Sequence, residues 1–297
     1  NSTENLFGLY GNFTLALKDE LINYAKRSGV KKIMCTYDKI PLLLEHVNGK
    51  DYRLLVDEYH NLLKQYMFRT TAINGVLDNF RKFKSFCFMS ATSIDPELKP
   101  EVLKDVPEYY ADWKEKQNLF IAPFKSNKPY QYVTNFINYY KKNGFITVNG
   151  HKSYEAFFFL NSVREIANII KKGGLTNENC RVICANEDGN KKKLGEIEIS
   201  TSVSKSKQFN FITCKSFEGT DFFSETGLCF VVSNVNVKHT LASIDIDIPQ
   251  IAGRIRNKEN PFRNMVVHIF NTKKEDSFKS YDKVKNEACK QLEIAKE

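Results

Sequence analysis

No segment of the sequence is both long and apolar enough to cross a bilayer as a helix, a task that takes about 20 mainly apolar residues. Nor does Asn1–Tyr10 carry a basic stretch followed by an apolar one, so no secretory leader is read there. The chain opens on Asn1 rather than methionine and reads as a trimmed or internal segment. Its seven cysteines include no CxxC pair. Cys35, Cys87, Cys180, Cys184, Cys214 and Cys229 mostly sit inside apolar runs, where a thiol behaves as a small hydrophobe. Cys180 and Cys184 share the strand-like run CRVICA, with no histidine or further cysteine nearby to complete a zinc set. These features exclude a disulfide scaffold and a structural metal, and they point to a reducing, cytoplasmic setting. Also missing is any GxxxxGK[ST] loop, the glycine-rich cradle for phosphates. The only Gly-Lys pair, Gly49-Lys50, runs into Asp51 without a glycine framework before it.

What is present is the composition of a folded globular protein, 42% apolar and 13% aromatic. At 297 residues the chain has room for two ordinary domains. Lysine and arginine total 44 against 35 acids, a balance of +9 that favours polyanionic partners such as nucleic acid.

Short apolar runs alternate with helical patterns. Lys31–Tyr37, Tyr52–Asp57 and Phe86–Met89 read as strands, and Leu15–Ser28 and Thr70–Lys82 as amphipathic helices. The alternation breaks between Asp95 and Pro129, where Pro96, Pro100, Pro107, Pro123 and Pro129 mark a connecting segment with one strand near Asn118–Ala122. It resumes with a helix over Tyr130–Lys142 and strands at Ala156–Leu160, Arg181–Ala185, Phe209–Thr213, Cys229–Val232 and Met265–Phe270. Asn186–Lys193 reads as a polar loop, and Lys274–Lys296 as a final charged helix. Strands alternating with helices imply parallel sheets covered by helices. The expected organisation is an α/β unit over residues 1–112, a connection over 113–129 and a second unit over 130–297.

The strongest chemical signal is Asp57-Glu58-Tyr59-His60, directly after the apolar Leu54-Leu55-Val56. Ligands of open α/β sheets bind at the carboxyl ends of the strands. Nucleotide hydrolysis there needs one carboxylate for Mg²⁺, a role that suits Asp57, and one group to orient or deprotonate water, a role that suits Glu58. About thirty residues on, Ser90-Ala91-Thr92 ends another apolar strand. A third pattern is Phe157-Phe158-Phe159-Leu160-Asn161-Ser162 leading into the helix Val163–Lys171. A fourth is Ser216-Phe217-Glu218-Gly219-Thr220-Asp221, where a glycine permits close backbone approach. The last is Gln250-Ile251-Ala252-Gly253-Arg254-Ile255-Arg256-Asn257, preceded by Pro249, which suits a first helical turn. Gln250 and Arg254, four apart, share one helix face. Alone, each has a plain reading as solvated strand-end acids, a turn, or exposed arginines. Their order along one chain outweighs those readings.

That order resembles motifs II to VI of superfamily 2, DExH-type (DEAD/DEAH-like) helicases. The resemblance implies two RecA-like parallel-sheet domains of the P-loop NTPase type, the first of them truncated at its amino end. It implies ATP and Mg²⁺ as cofactors and an ATP-dependent helicase or translocase that hydrolyses ATP between the domains. Asp57 would hold Mg²⁺, Glu58 would activate water, and Gln250 and Arg254 would act on the nucleotide. His60, Ser90 and Thr92 would couple hydrolysis to movement, and Gly219, Thr220, Asp221 and Arg256 would touch nucleotide or nucleic acid. DNA is expected ahead of RNA, with no membrane association. The sequence departs from the family pattern at Asn257, where a second arginine is usual, which makes Arg254 the expected arginine finger. It departs again in the missing phosphate loop, which implies that this chain alone is an inactive fragment. The alternative is a RecA-like module that binds nucleic acid or protein without hydrolysis.

Overall fold

The run Glu155-Ala156-Phe157-Phe158-Phe159-Leu160 has no polar alternation, as a strand covered on both faces requires. The computed structural model makes it the centre of a six-stranded, wholly parallel sheet. The structure describes residues 5–92, 94–111, 118–217, 220–244, 246–273, 280, 282–286 and 290. The chain divides into two compact units, the first within Asn1–Tyr109 and the second within Tyr110–Ala288.

In the first unit β1 (Leu6–Leu9) pairs in parallel with β2 (Lys32–Cys35), and α1 (Leu15–Lys26) lies between them in the chain. Thr14 caps α1 by accepting from Leu17 N at 3.2 Å. Leu21 and Tyr24 of that helix bury against Phe7 and Leu9. The short α2 (Ile40–Leu44) precedes β3 (Arg53–Val56), and α3 (Asn61–Lys64) and α4 (Tyr66–Leu77) lead to β4 (Ser85–Phe88), which pairs in parallel with β3. Ile40, Val56, Val76 and Phe83 form the core that holds this second pair to its helices.

The second unit runs β5 (Phe120–Lys125), α5 (Pro129–Asn143), a hairpin of β6 (Ile146–Val148) and β7 (His151–Ser153), β8 (Glu155–Phe159), α6 (Val163–Gly173), β9 (Cys180–Ile183), α7 (Asp188–Leu194), β10 (Phe209–Ile212), β11 (Gly227–Val232), α8 (Asp247–Ala252) and β12 (Met265–Phe270). The strand order is β5-β12-β11-β8-β10-β9. Side chains alternate across the sheet. Phe158, Phe211 and Phe230 meet α5 and α6 on one face, and Phe157, Phe159, Ile212 and Val231 meet Ile248, Ile251 and Ile255 on the other. Each fully buried phenylalanine contributes roughly 1.5–3 kcal/mol of transfer free energy. β5 carries Pro123, which removes a ladder donor and is tolerated because β5 is the sheet's edge. Ser162 caps α6 through Glu165 N, three residues on, and Gly174 ends it at φ 57°.

Three sequence expectations are corrected. Asn186–Lys193 is not a loop throughout: Asp188–Leu194 forms α7, whose Leu194 joins the core. The helix expected over Thr70–Lys82 begins earlier and ends at Leu77, with a separate 3₁₀ turn at Phe80–Lys82. The β6–β7 hairpin was not expected. Its turn at Asn149 (φ 50°) and Gly150 (φ 81°) is a two-residue connection with both central residues left-handed. The expected final helix over 274–296 lies largely outside the described residues.

Candidate active site

Because β3 and β4 are parallel and in register, their carboxyl ends are adjacent. Met89 N donates to Val56 O at 2.8 Å and Tyr59 N to Met89 O at 3.0 Å. The chain segments after the two strands are thereby stitched together, and the side chains follow. His60 Nδ1 lies 2.7 Å from Ser90 Oγ across thirty residues of sequence. Ser90 Oγ also accepts from Thr92 N at 2.9 Å. His60 is buried, with 1% exposure, and Ser90 is partly buried. The same imidazole nitrogen is 3.3 Å from Glu58 Oε2, a buried oxygen with no hydrogen-bond partner of its own. Ser90 is the nearer partner, and the Glu58 contact becomes an ion pair only when the imidazole is protonated. One ring nitrogen thus faces both the expected water-activating carboxylate and the expected coupling serine.

Glu58 has φ 50°, a left-handed conformation that costs a non-glycine residue on the order of 1–2 kcal/mol. Asp57 Oδ1 accepts from Glu58 N at 3.0 Å, its backbone carbonyl accepts from Tyr37 OH at 2.6 Å, and its side chain is exposed. Tyr37 was not singled out in the sequence, since nothing in it marks a tyrosine twenty residues upstream as a partner of that turn. Among the described residues no group of three or more His, Cys, Asp or Glu could enclose a metal ion. An exposed carboxylate at a strand end fits Mg²⁺, which binds through one or two carboxylates with waters and substrate phosphates rather than in a protein cage.

In the second unit the turn before β11 and the segment after α8 are joined by a parallel bridge between Phe222 and Ile255. Phe222 N donates to Arg254 O at 2.7 Å and Arg256 N to Phe222 O at 2.9 Å. Both bridge side chains are buried in the core, which sets the register. Thr220, Asp221, Gln250, Arg254 and Arg256 therefore form one cluster. Arg254 is buried: Nε donates to Gln250 O at 2.8 Å, Nη2 to Gln250 Oε1 at 2.8 Å and Nη1 to Thr220 O at 3.3 Å. Asp221 Oδ1 is 3.8 Å from Arg254 Nη1 and accepts from Arg256 Nε at 2.8 Å. Arg256, by contrast, is nearly half exposed. Pro249 falls in the first turn of α8, but the helix ends at Ala252, so Arg254 lies just beyond it. Gly219 lies outside the described residues.

A further buried cation was missed. Arg181, inside the apolar run of β9, is 1% exposed. It donates to Asn210 Oδ1 at 2.7 Å, to Ser206 Oγ at 3.2 Å and to Ser204 O. Burial pulls its pKa down to about 10, against the attraction of Glu155. Burial also pushes the Glu155 carboxyl up, opposed by Ser224 and Arg181. The signal was an arginine where strand periodicity demands an inward side chain.

No protein-family model matches the chain, and no curated protein matches its sequence. Among solved structures, S. cerevisiae Dbp5 bound to RNA and ADP BeF3 is similar with a TM-score of 0.53 and 12% identity, over 97% of this chain and 67% of that one. A second Dbp5 structure gives a TM-score of 0.45 at 14% identity, over 97% of this chain and 66% of that one. The type ISP restriction-modification enzyme LlaBIII bound to DNA gives 0.48 at 12% identity, over 92% of this chain and 23% of that one. The chain thus spans about two thirds of the Dbp5 chains and under a quarter of LlaBIII. The likeness to the RNA-bound Dbp5 shows the fold. The chain has a mixed α/β architecture with a six-stranded parallel sheet, the fold it shares with that structure. No helix among the described residues is long and apolar enough to cross a membrane.

Proposed function

We propose that this chain is the nucleotide- and nucleic-acid-acting part of an ATP-dependent helicase or translocase of the DExH type. The observation that carries the reading is the contact of His60 with both Ser90 and Glu58 at the carboxyl ends of adjacent parallel strands. In this reading Asp57 supplies the carboxylate for Mg²⁺, which when bound offsets the charge of the phosphates. Glu58 orients and deprotonates the attacking water. His60 passes the state of Glu58 to Ser90 and, through Thr92 N, to the segment that follows β4. A guanidinium from the Arg254–Arg256 segment meets the charge that develops in the transition state, and Gln250 fixes the segment's conformation. Thr220 and Asp221 line the same cluster, and Gly219, next in the chain, belongs to this proposed contact set.

The chain contains no GxxxxGK[ST] sequence, and a carboxylate cannot replace that loop's N–H groups and lysine, which hold the β- and γ-phosphates in line. The 297-residue chain is therefore expected to bind ATP weakly and to release phosphate at background rate. If the gene encodes a longer product that carries such a loop, single-stranded DNA should stimulate phosphate release by it, and Glu58→Gln should abolish that release while leaving ATP binding intact. A loop-bearing product that binds nucleic acid but never turns over ATP would establish the hydrolysis-inactive module instead. Nucleic-acid binding by the 297-residue chain is tested by fluorescence anisotropy across a salt series, with DNA and RNA oligonucleotides side by side. With a balance of +9, affinity should fall with salt at a log-log slope of about −0.7 per phosphate neutralised on a single strand. DNA is expected to bind more tightly than RNA. Salt-insensitive binding, or none at low ionic strength, would refute the polyanion reading.

A further inference from the structure

We infer that Arg256, latched by Asp221, is the guanidinium this chain presents to a phosphate group, and that Arg254 is a positioning residue. The inference rests on the hydrolysis reading above and deepens it. Three observations assign the roles. Arg254 is buried, and its Nε, Nη1 and Nη2 all donate to Gln250 and Thr220. Turning it toward a ligand would break three hydrogen bonds to buried acceptors, which is costly. Arg256 is nearly half exposed and its Nε is held by one carboxylate, Asp221, itself nearly half exposed. Asn257, where the helicase pattern places its second arginine, accepts Glu259 N at 3.0 Å and so serves a turn.

The backbone explains why Arg256 can take the role. The bridge to Phe222 fixes the backbone on either side of Ile255 through Phe222 N to Arg254 O and Arg256 N to Phe222 O. Ile255 is buried in the core, and the side chains of Arg254 and Arg256 both approach Asp221. Arg254 ties that segment to Thr220 and Gln250, so Arg256 leaves a rigid base. Asp221 is its resident counter-ion. A phosphate must compete with that carboxylate, and a guanidinium bound through Nε alone can exchange it for two phosphate oxygens.

The test uses the 297-residue chain with ¹⁵N-labelled arginine and inorganic tripolyphosphate, following the Nε–Hε resonances. The Arg256 resonance, assigned with Arg256→Gln, should shift saturably while that of Arg254 stays in place. Asp221→Asn should tighten tripolyphosphate binding about two- to five-fold, the scale of one exposed ion pair. A merely structural Asp221 would give no such gain. An unmoved Arg256 resonance, a shift at Arg254 instead, or weaker binding by Asp221→Asn would overturn the assignment. Phosphate release by a version of the chain that carries a phosphate-binding loop separates the two ideas. Stimulated turnover that survives Arg256→Gln overturns the assignment alone. A saturable Arg256 shift without any turnover supports the assignment and sinks the hydrolysis reading.

Discussion

Replacing Arg254 with methionine should unfold the second unit early, whereas the same change at Arg256 should scarcely be felt. Methionine keeps much of the stem's length and apolar contact but donates nothing. At Arg254 the hydrogen bonds to three buried acceptors, Gln250 O, Gln250 Oε1 and Thr220 O, are lost. Hydrogen bonds to charged groups contribute about 1.5–3 kcal/mol each, and contacts that share one side chain do not add fully, so roughly 3–4 kcal/mol is expected in total. At Arg256 one exposed pair with Asp221 is lost, about 0–1 kcal/mol. For a unit the size of Tyr110–Ala288 each kcal/mol moves Tm by about 2–4 °C. Arg254→Met should therefore lower its transition by roughly 6–16 °C and Arg256→Met by less than about 4 °C. Differential scanning calorimetry of the purified variants measures this, with near-UV circular dichroism following the aromatic core. Equal losses for the two variants, or an Arg254→Met protein that melts like wild type, would refute the assigned burial roles.

Other expectations follow from the same packing. Arg181→Met should cost roughly 2–4 kcal/mol at pH 7, because it removes the guanidinium that donates to Asn210, Ser204 and Ser206 and with it the positive charge that draws the Glu155 carboxyl down. Burial already raises Glu155, so the folded state holds that proton more tightly than the unfolded chain. The associated stability is present below the unfolded value and lost as pH rises through the folded one. The Arg181→Met deficit, measured by urea titration, should therefore shrink in part as pH falls from 7 toward 5, and Glu155→Gln added to it should recover the pH-dependent part; a pH-independent deficit would show that Arg181 exerts no electrostatic influence on Glu155. Gly227→Ala should destabilise by about 1–3 kcal/mol, since its Cβ would lie 2.4 Å from Phe157 Cε2 and 2.8 Å from Ser224 Oγ. Among the described cysteines, exposed Cys87 and Cys214 should react first with a thiol reagent. Cys229, buried and pushed up to about 12, should react only on unfolding, and early labelling of Cys229 would show that the core opens locally.

Much of the architecture was legible because it depends on local chemistry repeated many times. The apolar run Phe157-Phe158-Phe159-Leu160 read as a strand and proved to be the buried β8, and the run through Asn161-Ser162 led into the helix that became α6. The strand-end positions of Asp57 and Ser90 followed from the runs before them. Elements with weak local signals were lost. α7 carries Lys191, Lys192 and Lys193, which look like a solvated loop, and a single buried leucine anchors it. The Asn149-Gly150 pair was a hairpin signal, but strands of three residues on either side gave it little support. What the sequence determined by itself was that the acids and the serine follow strand ends, that the arginines follow Pro249 and Gln250, and in what order they come, because strand ends and turns are written in neighbouring residues. Only the tertiary structure decided that His60 reaches Ser90, that Arg181 is buried, and that Arg254 turns inward while Arg256 faces solvent. Those outcomes rest on pairings across thirty residues or so, such as Phe222 with Ile255, whose register is set by how two buried side chains share one core.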